Sequence, residues 1–130
     1  MRKIYHLSTC NTCQKILAQL NLNGVELVDI KYNNISDRDL DFAKNKLGSY
    51  EALFSKRALK YRQWGLNEQK LTEQDYRKYI LEEYTFLKRP VAILDEKVFA
   101  GNSKSAVEGM KQTLSEINST QKWDVLLLIN

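Results

Sequence analysis

Cys10 and Cys13 stand in the stretch "YHLSTCNTCQKIL", and the chain holds no other cysteine. A C-x-x-C spacing serves as a thiol–disulfide pair, as half of a metal site, or as two small residues packed in a core. The flanking "STCNT" is polar, which argues against an inert buried pair. His6 extends the pattern to H-x-x-x-C-x-x-C, but that offers zinc three ligands, and a structural zinc site takes four. A redox pair is the favoured chemistry, and no metal is expected.

The elements around the pair decide which sulfur reacts. "RKIYHL" reads as a strand and "STCNT" as a loop. From Asn11 or Thr12 the pattern turns helical, with Ile16, Leu17 and Leu20 on one face and a stop at Asn23-Gly24. "VELVDI" then alternates as a second strand. Strand, helix and strand within about thirty residues make a βαβ unit with a right-handed crossover. A strand-to-helix turn aims backbone N–H groups and partial positive charge at the preceding residue, which stabilises a thiolate and suits an anion. Cys10, at the helix start, is the expected nucleophile. Cys13, about one turn inside, is placed to resolve a mixed disulfide.

The middle of the chain reads as a helical insertion over approximately 35–86. "ISDRDLDFAKNKLG" has Ser36 as N-cap and Gly48 as stop, and helical patterns follow in "KRALKYRQWG" and in "TEQDYRKYILEEY" after Thr72. No Pro/Gly/Ser-rich linker brackets it, so residues 1–130 are expected to form one domain. "KRPVAILDEKVFAGN" holds the only proline, Pro90, whose place before a strand invites a special peptide bond. A hairpin is expected from Val91–Leu94 and Lys97–Ala100, and then a helix from Ser103 to about Ile117. The tail "WDVLLLIN" fits a short strand or an apolar flap. The order β-α-β, helices, β-β-α gives an α/β class with a four-stranded mixed sheet, the plan of a thioredoxin-like domain.

Composition narrows the setting. Hydrophobic residues make up 43% and charged residues 28%, which fits a globular fold and not disorder. The net charge of +4 permits anions, but the charges are interspersed and no Lys/Arg block marks a nucleic-acid tail, so no direct nucleic-acid contact is expected. "MRKIYHLSTC" lacks an export signal, and "VLLLI" is too short to span a bilayer. A cytoplasmic monomer without membrane contact is expected, and in that reducing setting a C-x-x-C is more often catalytic than a staple.

"IYHLSTCNTCQKIL", "LFSKRALKYRQWGL" and "FLKRPVAILDEKVFAGN" together resemble the arsenate reductase family, which includes glutaredoxin-linked arsenate reductases and the Spx transcriptional regulators. The likeness runs to about Lys111, and "KRP" is its most specific element. It implies a thioredoxin-like fold with a helical insertion and a cis Pro90. It also implies Cys10 as nucleophile, His6 as a histidine preceding the cysteine loop, and an oxyanion site of Arg57 and Arg89 with Thr12. In such reductases the cysteine attacks arsenate, a glutathione thiol follows, and glutaredoxin resolves the mixed disulfide. No bound cofactor is implied, only glutathione or another thiol donor as co-substrate, with glutaredoxin or thioredoxin as partner.

This chain departs from that pattern twice. The reductases carry a further arginine after the hairpin, where "VFAGNSK" offers only lysines, Lys97 before it and Lys104. The reductases also need one loop cysteine, whereas C-x-x-C matches the Spx regulators, which sense disulfide stress and bind the RNA polymerase α subunit. Three readings follow: a thiol-dependent arsenate reductase-like enzyme, a redox switch contacting RNA polymerase, and a general thiol–disulfide oxidoreductase. The two arginines favour the first, since disulfide exchange alone needs no anion clamp.

Overall fold

A computed structural model describes residues 1–129, with side chains described as far as Ser119. Its sheet has the order β2-β1-β3-β4. Strands β1 (Arg2–His6) and β2 (Glu26–Asp29) run parallel, with His6 opposite Asp29. Strand β3 (Val91–Leu94) is antiparallel to β1, and β4 (Lys97–Ala100) is antiparallel to β3. Side-chain alternation along β1 and β3 sorts the core into two layers. Ile4, Ala92 and Leu94 face one layer with Ile16, Leu17, Met110 and Leu114, from helices α1 (Asn11–Leu17) and α5 (Lys104–Ile129). Tyr5, Val91 and Ile93 face the other, with Leu40 and Ile80 from helices α2 (Asp37–Leu47) and α4 (Glu73–Glu82). Helix α3 (Leu59–Gln63) lies between α2 and α4 in the chain.

Local chemistry sets most boundaries. The Ser36 hydroxyl accepts the Asp39 N–H at 3.1 Å and starts α2, which ends at Gly48 in the left-handed region (φ 98°). Thr72 and Asp75 form a reciprocal capping box at α4. Ser103 caps α5 by accepting the Ala106 N–H at 3.2 Å.

Three elements differ from expectation. Helix α1 ends at Leu17, because the Gln19 and Leu20 N–H groups bond the carbonyls three residues back and tighten the chain out of the α form. Leu20 and Leu22 still pack on the core from the turn that follows. Helix α3 has only five residues: no side chain caps its start at Ala58, and Gly65 (φ 69°) closes the segment. The tail is not a strand, and Asn130 lies outside the described residues. Backbone helix continues through Ile129, since after Ser103 the chain holds no proline and its one glycine, Gly109, lies inside the helix.

Candidate active site

Cys10 is the N-cap residue of α1, in extended conformation (φ −95°, ψ 107°), and its sulfur accepts the Cys13 N–H at 3.4 Å. The Cys10 N–H is fixed by the Leu7 carbonyl at 3.0 Å. Both cysteines are free thiols. Cys10 is half-buried, whereas Cys13 is fully buried, and burial above all pushes its thiol up from the usual range.

A long-range pairing assembles the rest of the site. Phe54 bridges Leu87 in antiparallel fashion, with the Ser55 N–H on the Phe86 carbonyl (2.7 Å) and the Lys88 N–H on the Leu53 carbonyl (2.8 Å). That lays the chain before Lys56-Arg57 beside the chain before Lys88-Arg89. Phe54 and Phe86 stack beneath, with centroids 5.0 Å apart, and Tyr76 meets Phe54 at 4.9 Å. The Arg89–Pro90 peptide is cis, and the Pro90 carbonyl accepts the Gly101 N–H at 2.9 Å, drawing in the turn after β4.

The result is an open cleft of about 550 Å³, into which Cys10, Thr12, Arg57 and Arg89 all face. Lys56 and Lys88 join them, against a single acidic residue, Glu51. Glu51 is taken up by Lys56 (2.9 Å) and by the Tyr76 hydroxyl (2.9 Å), and these partners, Lys56 foremost, hold its carboxyl below the usual range. The cleft therefore keeps an excess of positive charge beside the thiol. Arg89 donates from Nη1 to the carbonyls of Thr85 (3.1 Å) and Leu87 (3.0 Å), which fixes the plane of its guanidinium. Thr85 is steadied in turn by Glu83, which accepts its hydroxyl at 3.1 Å and pairs with Lys60 of α3 at 2.6 Å. Burial works against that carboxylate, yet the hydrogen bonds from Lys60 and Thr85 outweigh it and hold Glu83 in the charged form. Arg57 is exposed and makes no ion pair among the described residues.

His6 and Cys13 do not line the cleft. The Gln14 amide nitrogen donates to the Leu7 carbonyl at 2.9 Å and meets His6 Nδ1 at 3.2 Å. A carbonyl accepts only from the NH2 side of the amide, so the second amide proton faces Nδ1, and a neutral His6 carries its own proton on Nε2. Nor do Lys97 and Lys104 stand in for the missing arginine. Lys97 lies 4.0 Å from Glu116, Lys104 faces a neighbouring groove, and Lys56 and Lys88 supply the additional charge instead. Four positions are not anticipated from sequence: Lys56, Lys88, Gln14 and Asp29. Asp29 accepts the Ser8 N–H of the cysteine loop at 3.4 Å, and its carboxyl is held low, chiefly by the Ser8 side chain. Lys88, inside "KRP", was the one with a visible signal. Among the described residues, no group of three His, Cys, Asp or Glu side chains could hold a metal ion.

Fold and site together define a class: a thioredoxin-like α/β protein with a cysteine loop, a helical segment between its two halves and a basic cleft. A model of the ArsC family matches residues 5–110, and the chain belongs to that family. Among solved structures, an ArsC family related protein from Bacteroides fragilis superposes with a TM-score of 0.72 at 21% identity, over 85% of this chain and 97% of that one. An arsenate reductase from Vibrio cholerae gives 0.70 at 18% identity, over 84% and 96%. SACOL0876 from Staphylococcus aureus gives 0.68 at 23%, over 85% and 98%. These likenesses show the fold. A search of curated proteins finds no match. No helix among the described residues is long and apolar enough to cross a membrane.

Proposed function

We propose that the protein is a thiol-dependent oxidoreductase of the arsenate reductase type, acting in the cytoplasm. The observation that carries this reading is the convergence of Cys10, Arg57 and Arg89 on one cleft with surplus positive charge. Guanidinium groups offer planar paired donors to a tetrahedral oxyanion, and they stabilise charge on it as a nucleophile attacks. The Cys10 thiolate attacks arsenic, an S–As bond forms, and one arsenate oxygen leaves as water after proton uptake. A second thiol then contributes. Two sulfurs lose one electron each and end as a disulfide, while As(V) becomes As(III) and departs as arsenite. Glutathione or a similar thiol fits the second role, and a glutaredoxin or thioredoxin would reduce the disulfide.

The test is arsenate-dependent NADPH oxidation coupled through glutathione, glutaredoxin and glutathione reductase. Turnover that disappears in Cys10→Ser is the expected result. One observation favours a second reading: Cys13 N–H sits on Cys10 Sγ, and both thiols are free, as a C-x-x-C redox switch requires. No arsenate turnover, with reversible oxidation of the pair, would overturn the reductase and make binding to the RNA polymerase α subunit the next assay. Exchange with disulfides alone would leave the general oxidoreductase.

A further inference from the structure

Gln14 holds both peptide groups of Cys10. Its backbone N–H takes the Cys10 carbonyl at 3.1 Å, the first hydrogen bond of α1. Its side-chain amide reaches back to the Leu7 carbonyl at 2.9 Å, the same oxygen that accepts the Cys10 N–H at 3.0 Å. The Leu7 peptide serves the second cysteine as well: its N–H donates to the Cys13 thiol and eases the rise that burial imposes there. The other amide proton of Gln14 faces His6 Nδ1 at 3.2 Å, so the side chain cannot turn without breaking a contact. Leu7 is buried, and a donor lost from its carbonyl is poorly replaced by water.

We propose that Gln14 is a positioning residue for Cys10: by fixing the Leu7 carbonyl it keeps Cys10 in its N-cap conformation, with Sγ against the Cys13 N–H, and raises the share of thiolate near neutral pH. This role rests on Cys10 as the reactive thiol and holds for any substrate that Cys10 attacks. A donor stabilises a thiolate only while sulfur and N–H stay aligned. Here the contact is 3.4 Å long, and the Cys10 backbone joins the cysteine loop to the helix. Without the Gln14 amide, the loop before Cys10 keeps the Cys10 N–H bond to Leu7 and the 3.4 Å contact of the Ser8 N–H with Asp29. Both leave the Leu7 peptide freer to tilt.

Alkylation of Cys10 by iodoacetamide, followed across pH by peptide mass mapping, separates position from access. Gln14→Met keeps the length and nearly the helix propensity of the side chain and removes its donors. The Cys10 rate near neutral pH should fall about fivefold relative to the alkaline plateau, where the thiol is ionised with or without alignment. Gln19→Met, the same change at an amide that bonds only the Lys15 carbonyl, should leave that ratio unchanged. His6→Ala should lower it by about twofold at most, because the Leu7 contact survives. An unchanged ratio in Gln14→Met, or an equal loss in His6→Ala, overturns the assignment of Gln14 alone. Labelling of Cys13 in the native variant, or a plateau that falls as far as the neutral rate, makes Gln14 a structural residue and also overturns it. A wild-type Cys10 that reacts no faster near neutral pH than in the unfolded chain overturns it together with the reading of Cys10 as nucleophile.

Discussion

The Cys13 backbone N–H points at the Cys10 sulfur from 3.4 Å, while the Cys13 side chain itself is wholly buried. One residue thus serves the site in two ways, as a donor to the outer sulfur and as a second sulfur behind it. The two thiols therefore differ in access even though they are one helical turn apart.

That difference predicts selective alkylation. Iodoacetamide near neutral pH should modify Cys10 and spare Cys13 until the protein is unfolded, as read by peptide mass mapping. Burial raises the Cys13 thiol above its unfolded value, so its contribution to stability is complete below the ordinary thiol range. That contribution is lost as pH rises through the folded value. Cys13→Ala should flatten this alkaline loss. Equal labelling of both thiols in the native protein would contradict the assignment.

Arg89→Lys keeps a positive charge and loses the two carbonyl contacts that hold the guanidinium plane. Arsenate kcat/KM should fall by about tenfold or more, roughly 1.4 kcal/mol, while exchange with a neutral disulfide should change far less. Equal losses in both reactions would remove the case for an anion clamp.

Asp39 carries an acid-sensitive contribution to stability. It is buried, and its carboxylate accepts from the Tyr5 hydroxyl and from Lys3 at 3.0 Å. Burial opposes ionisation, but the Tyr5 and Lys3 hydrogen bonds outweigh it and hold the carboxyl below the usual range. The folded state therefore binds fewer protons than the unfolded state. Its stabilisation is full above about pH 4 and is lost as pH falls through the lowered folded value. Asp39→Asn should cost about 2 kcal/mol near neutral pH and flatten the acid limb, as read from urea midpoints between about pH 6 and about pH 3.

Gly109 marks a close approach of α5 to the sheet. A Cβ added there would lie 2.3 Å from Phe99 Cε1 and 2.8 Å from its Cδ1. Alanine would add about 1 kcal/mol of helix propensity, yet overpacking against the ring costs about 1–3 kcal/mol. Gly109→Ala should therefore be destabilising by about 1 kcal/mol, and Gly109→Ala/Phe99→Leu should recover part of it in thermal melts.

Much of this was legible where the signals are local. Ser36, Thr72 and Ser103 marked helix starts by hydroxyl chemistry, and "VAILDEKVFA" marked its own hairpin by two short apolar runs around the Asp95-Glu96 turn. The meeting of Arg57 with Arg89 was legible only through resemblance. It depends on Phe54 pairing with Leu87 across the whole helical segment, a contact too short to leave a strand pattern at either end. Lys56 is hidden for the same reason, since nothing in a basic run tells which side chains turn inward, whereas Lys88 is marked by its place in "KRP". The role of Asp29 is hidden because it acts through a backbone partner brought near by the β1–β2 register, and that of Gln14 because it reaches back from α1 to the Leu7 carbonyl and the His6 ring. The tail misled because a run of leucines and isoleucines suits several backbones, and the continuing helix before it decided the outcome.

The sheet order also bears on how the molecule behaves in a crowded solution. Strand β2 lies at the margin with one hydrogen-bonded neighbour, β1, so its other side offers backbone groups to any strand that approaches. It is only four residues long, Leu27 is 43% exposed, and Glu26 and Asp29 bracket the apolar pair. Those two carboxylates act as gatekeepers, making edge-to-edge stacking of two copies a meeting of like charges. The margin opposite is guarded differently: Lys46 of α2 grips Glu96 beside β4 at 2.6 Å, and Lys97 of β4 reaches toward Glu116 of α5. Resistance to aggregation is thus written into both borders of the sheet, and on the β2 side one of its guards, Asp29, also holds the cysteine loop.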